Sequence, residues 1–251
     1  MSRRPIFLSF LLSAVVGVVA FLVASVPGLA NNLYTAGSYG YDISYNTRSP
    51  YPSGPYNFGI VGVTGGRAFS YNAYLNSEYN SVAATVGSGQ VSLYMNLNYP
   101  VGSTASNGNT GPKGKCSASD KACIAYNYGY NAAQDAYIYA TNQGASASVW
   151  WLDIETANSW SPKTSLNDLV IQGAIDYLSS KRVTVGIYST ASMWRSIAGT
   201  GYNPGLANWV PGASSQSALP DYCSKAVSFG GGSVTLVQYG GGSYDVDYAC
   251  P

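Results

Sequence analysis

The sequence predicts an α/β fold: a single β/α barrel, irregular and TIM-like, whose last strands lack helices. Three observations predict it. Apolar runs of strand length alternate with helical stretches, the pattern of a parallel sheet with helices outside. The second strand, FGIVGV at 58–63, is apolar almost throughout, as expected of a strand covered on both faces. About eight strands fall within roughly 220 residues, the size of one barrel domain. A doubly wound open sheet is the alternative, but no GxGxxG follows the first strand and no phosphate-binding loop is present.

The first 30 residues stand apart from this pattern. Arg3 and Arg4 form a basic start, no charge occurs from Ile6 to Val26, and small residues arrive at Gly28 and Ala30. This predicts a signal peptide over 1–30, cleaved before Asn31, with an uncleaved N-terminal anchor as the alternative. Either way the barrel domain, 31–251, is expected to be secreted or held at the cell surface. Membrane contact is expected only through residues 6–26, if they are retained.

After a short polar lead-in at 31–38, strands are predicted at 39–45, 58–63 and 91–96, with a helix at 71–86. A Gly/Ser/Asn-rich loop at 99–121 follows, then an alanine- and tyrosine-rich helix at 123–143. VWWLDIE at 149–155 reads as the strongest strand. The helix at 165–180 carries one apolar stripe through Leu166, Leu169, Val170, Ala174, Ile175, Tyr177 and Leu178. Strand 183–188, a short helix at 191–197 and strand 206–210 continue the alternation. Strands 234–239 and 244–248 close the chain with only 240–243 between them, too short for a helix.

Charged residues make up 9% of the chain and the formal net charge is +1, so there is no basic patch for nucleic acid. A monomer is expected. The four cysteines, Cys116, Cys123, Cys223 and Cys250, allow three pairings. Proximity favours Cys116 with Cys123, and Cys223 with Cys250 would then anchor the last strand. A zinc site is the rival reading, but histidine is absent and the spacings are not those of CxxC pairs.

Only 11 residues are acidic, and five of them, Asp42, Asp153, Glu155, Asp245 and Asp247, fall in or at the ends of predicted strands. A carboxylate buried in a strand is unfavourable unless it is paired or functional. Strand ends form the mouth of a parallel barrel, and residues i and i+2 share a face, with Cβ atoms about 6.6 Å apart. Asp153 and Glu155 therefore point into one site, and Asp245 would share the face of Asp247. Converging carboxylates hold a proton between them at neutral pH, as glycosidic hydrolysis requires. The lack of histidine removes most Ser/His and Cys/His schemes. Calcium ligation and a hydrogen-bonded structural role are the alternatives. Trp150 and Trp151 are adjacent, so at most one can face the barrel interior.

In chain order, YDIS at 41–44, LDIE at 152–155, GIYS at 186–189, NWV at 208–210, VQY at 237–239 and VDY at 246–248 resemble the family 25 glycoside hydrolases, the Chalaropsis-type lysozymes. The resemblance implies a barrel of five β/α units with three closing strands, and needs no cofactor or metal. It implies Glu155 as general acid, Asp153 as its charged neighbour, and Asp42 and Asp247 as the other carboxylates of the floor. Tyr188, Trp209, Gln238 and Tyr239 would line the sugar groove. Departures from the pattern are the acid-free IVGVTGGRAF after the second strand, Asn96 where an imidazole is usual, and the long cysteine-bearing loop. The function expected is that of an exported glycosidase hydrolysing cell-wall polysaccharide, with peptidoglycan as the expected substrate. The alternatives are a silent wall- or sugar-binding barrel and an enzyme acting on another glycan.

Overall fold

A computed structural model of the chain describes residues 33–47, 50–242 and 244–251. The segment expected to be a signal peptide or anchor lies outside the described residues. Eight strands close into a barrel in the order β1-β10-β9-β8-β7-β6-β3-β2. They are β1 (Tyr39–Ile43), β2 (Phe58–Gly62), β3 (Val91–Asn96), β6 (Val149–Asp153), β7 (Thr184–Tyr188), β8 (Ala207–Pro211), β9 (Val234–Gly240) and β10 (Asp245–Ala249). The strands β4 (Thr110–Gly111) and β5 (Gly114–Lys115) make a separate ribbon in the long loop. All barrel pairings are parallel except those of β10, which runs antiparallel to both β9 and β1.

The helices α1 (Leu75–Val86), α2 (Lys121–Asn142), α3 (Thr164–Ser180), α4 (Ala191–Ala198) and α5 (Leu219–Lys225) follow β2, β3, β6, β7 and β8. The expected number of β/α units is therefore present, but β1 has no helix. The three strands without helices, β9, β10 and β1, are contiguous in the barrel. Helix α5 is not evident in the sequence pattern because it is short, with Pro220 in its first turn. Local capping sets the starts of two others: the Asp120 side chain accepts from Cys123 N at 2.9 Å, and Thr190 Oγ1 from Met193 N at 3.1 Å.

Strand parity divides the core in two. Trp150 and Leu152 face outward onto the helices, with Ile43, Val61, Leu93, Met95 and Ile187. Phe58, Ile60, Tyr94, Val149, Trp151, Trp209 and Leu236 fill the barrel. Of the adjacent pair, Trp151 faces inward, and its ring occupies the space beside Gly186, where a Cβ would lie 2.3 Å from Cζ3. The lead-in is less passive than expected. Leu33 and Tyr34 pack against the inner cluster, and Tyr34 OH receives the Trp151 indole N–H at 2.9 Å.

Both disulfides form as expected, Cys116–Cys123 and Cys223–Cys250, with Cα–Cα distances of 5.7 and 5.6 Å. The second ties α5 to the residue following β10. The first closes the 116–123 loop, and Asn127 of α2 holds the preceding β4–β5 ribbon, its amide donating to Gly114 O at 3.0 Å and accepting from Lys113 N at 2.9 Å.

Candidate active site

The carboxyl ends of the parallel strands hold a cavity of about 200 Å³. Asp42, Asn96, Asp153, Glu155, Tyr188, Trp209, Gln238 and Asp245 all line it, with Ser44, Tyr45, Gly66 and Tyr94. Register explains the convergence. Asn96 lies opposite Asp153, Asp153 opposite Tyr188, and Tyr188 opposite Trp209 on successive strands. Across the antiparallel closure Asp42 lies opposite Asp245. Among the described residues, no Lys or Arg lines this cavity.

Glu155 is just beyond β6, which ends at Asp153. Its position is nonetheless held: Ile154 N donates to Tyr188 O at 2.9 Å, Ser189 Oγ to Ile154 O at 2.7 Å, and Trp160 Nε1 to Glu155 O at 2.8 Å. The segment therefore keeps the strand direction for two further residues.

Neutral donors hold the acids. Asn96 Nδ2 donates to Asp153 Oδ2, while Asn96 Oδ1 accepts from Thr64 Oγ1 at 2.7 Å, which orients the amide. Gln238 Nε2 donates to Asp42 Oδ2 at 2.7 Å, and Gln238 Oε1 accepts from Tyr188 OH at 2.8 Å. Asp153 Oδ1 and Asp247 Oδ2 are buried without a hydrogen-bond partner.

Two expected site residues lie elsewhere. Asp247 is fully buried below the cavity, with Oδ1 accepting from Trp209 Nε1 at 2.7 Å. The mouth position on β10 belongs to Asp245, two residues earlier and on the same face. Tyr239 has the opposite parity to Gln238 and packs outside the barrel near Val237, Val246 and Tyr248. Adjacent residues of a strand cannot both face the groove. Tyr94 and Thr64 were not singled out from the sequence. Tyr94 shares the parity of Asn96, which is a usable signal, whereas Thr64 lies in a loop without periodicity.

Burial raises every acid of the cluster, and among the described residues no Lys or Arg lining the cavity offsets the loss of water. Asp42 is pushed up to about 7 by burial and then by the charge of Asp245, against the Gln238 donor. Asp153 is raised well above the usual range by burial and by Glu155, with Asn96 opposing. Burial also raises Glu155 and Asp245. Asp247 is raised well above its ordinary value by burial and by Asp42, against the Trp209 donor. The cluster thus binds protons more tightly than exposed carboxylates do.

The closed barrel carries its carboxylates at the carboxyl ends of the parallel strands, and the comparisons bear out the resemblance to the lysozymes of glycoside hydrolase family 25. The family model described as lysozyme-like protein 1 matches residues 121–211, the stretch that supplies Asp153, Glu155, Tyr188 and Trp209. "Probable GH family 25 lysozyme 4" of Dictyostelium discoideum is 36% identical over 77 residues, which is 28% of this chain and 35% of that protein. The aligned part thus spans about a third of that relative's length. In fold, the chain is similar to a family GH25 lysozyme from Aspergillus fumigatus, with TM-score 0.55 and 16% identity over 86% of this chain and 95% of the other. It is also similar to the modular autolysin LytC from Streptococcus pneumoniae, solved with a synthetic peptidoglycan ligand: TM-score 0.54 and 12% identity, over 84% of this chain and 46% of the other.

Proposed function

We propose that the protein is an exported, lysozyme-like glycosidase that hydrolyses cell-wall peptidoglycan by carboxylate acid/base catalysis. The observation that carries this reading is the Asp153–Glu155 pair at the cavity mouth, both raised by burial and, among the described residues, with no Lys or Arg lining the same cavity. The names of the relatives agree with it, since the family GH25 lysozyme and the LytC autolysin share this barrel. The disulfides agree with an oxidising destination outside the cytoplasm.

Glu155, the more exposed of the pair, is the proton donor to the leaving glycosidic oxygen. Asp153 lies deeper, held by Asn96, and adjusts the proton affinity of Glu155. Asp42, locked through Gln238 to Tyr188, faces the same space and stabilises positive charge that develops on the sugar. Trp209 and Tyr188 supply ring surface for the sugar. Asp247 supports Trp209 from below.

The second reading is a silent sugar-binding barrel, favoured by the neutral amides that hold Asp42 and Asp153 in place. Loss of turbidity of a cell-wall suspension separates the two. The wild type should clear it, and Glu155→Gln should be slower by a factor of at least about 100. Saturable wall binding by the wild type without clearing would establish the silent barrel instead.

A further inference from the structure

Beside the carboxylate cavity lies a second one of about 290 Å³, and the two share Gly66 in their walls. Its sides come from three loops at the mouth: Arg67 and Ala68 after β2, Val101 to Thr104 after β3, and Ala157 to Ser159 after β6. The β3 loop is the long segment that departs from the lysozyme pattern. Arg67 is the only Lys or Arg lining either cavity among the described residues.

The backbone on both sides of the arginine is fastened. Arg67 O accepts from Ser70 Oγ at 2.6 Å, and Ala68 N donates to Asn98 Oδ1 at 2.9 Å. Phe69 has φ +56°, an uncommon conformation for an aromatic residue, and its ring packs edge-on to Tyr128 at 5.0 Å. Gly66, with φ +87°, lets the chain pass Tyr45, whose ring a Cβ would approach to 3.1 Å. Arg67, exposed on this ordered turn, lines a roomy pocket that among the described residues has no other charged lining residue. Electrostatics then divides the mouth. The cavity of Asp42, Asp153, Glu155 and Asp245 offers an anionic substituent no Lys or Arg among the described residues, whereas the adjoining pocket offers it a cation capable of a bidentate contact.

We propose that the Arg67 pocket extends the groove and binds a carboxylate-bearing substituent of the glycan, so orienting the chain over Glu155. This deepens the lysozyme-like reading and rests on it. The test is calorimetric binding to Glu155→Gln protein, which stops turnover. One probe is a neutral oligomer of β-linked N-acetylglucosamine. The other is an oligomer of the same length with lactyl ether carboxylates on alternate sugars. Arg67→Gln in the Glu155→Gln background should weaken the acidic oligomer on the order of tenfold and leave the neutral one unchanged. Arg67→Lys should recover part of the loss, and added salt should reduce the difference between the oligomers. Equal weakening of both oligomers, or no weakening of the acidic one, overturns the Arg67 assignment while the glycan reading stands. Failure of both oligomers to bind before Arg67 is changed overturns both.

Discussion

The indole nitrogen of Trp209 donates to Oδ1 of Asp247 at 2.7 Å, and only the tryptophan reaches the cavity. The acid beneath it is a positioning residue for the ring. Trp209→Phe would keep most of the apolar area but strand Asp247, whose Oδ2 already has no partner. The expected destabilisation is about 1–3 kcal/mol by urea titration. Trp209→Phe combined with Asp247→Asn should lose less than the sum of the single changes, because the two act through one contact. Strict additivity would disprove the coupling.

Asp42 gives a pH dependence whose sign is determined. Its folded value is raised to about 7, so the folded state binds the proton more tightly than the unfolded chain. Its contribution to stability is full below the unfolded value of about 4 and is lost as pH rises towards 7. Asp153 and Asp247, also raised, act in the same direction. Calorimetric melting should therefore show a higher Tm near pH 5 than near pH 8. Asp42→Asn should raise Tm at pH 8, by about 2–4 °C for each kcal/mol relieved, and flatten the profile. A Tm that rises steadily from pH 5 to 8 would contradict the burial argument.

Asn96 is predicted to set the acid limb of the activity profile. Its amide favours ionised Asp153. Asn96→Leu removes that donor, raises Asp153 further and moves the acid limb of kcat/KM upward by roughly one pH unit. An unshifted limb with lower activity would reduce Asn96 to a packing role.

Gly186 is required by Trp151 rather than by its own backbone. Gly186→Ala should cost about 1–3 kcal/mol through displacement of the indole, read from the denaturation midpoint. A neutral substitution would mean that the barrel interior yields more easily than close packing allows.

The two disulfides should differ in their effect. Cys223–Cys250 spans 27 residues and Cys116–Cys123 spans 7. Loop entropy predicts losses of roughly 3 to 4 and roughly 2 kcal/mol when each is replaced by alanines. Equal losses would point to native packing of the two sites rather than to chain entropy.

By itself, the sequence determined the alternation of strands and helices, the barrel, both disulfides and the Asp153–Glu155 pair. These rest on period, loop length and proximity along the chain, which are local quantities. Parity already placed the pair on one face and allowed only one of Trp150 and Trp151 inside. It also implied that Gln238 and Tyr239 cannot share the groove, although the motif grouped them. Only the tertiary structure decided depth. Asp245 reaches the mouth and Asp247 lies beneath Trp209 because β10 enters antiparallel, so the earlier residue of the pair sits nearer the carboxyl ends of the parallel strands. Nor could the sequence place Thr64 against Asn96 or set Arg67 beside the cavity. Those contacts join loops distant along the chain, and barrel closure alone brings them together.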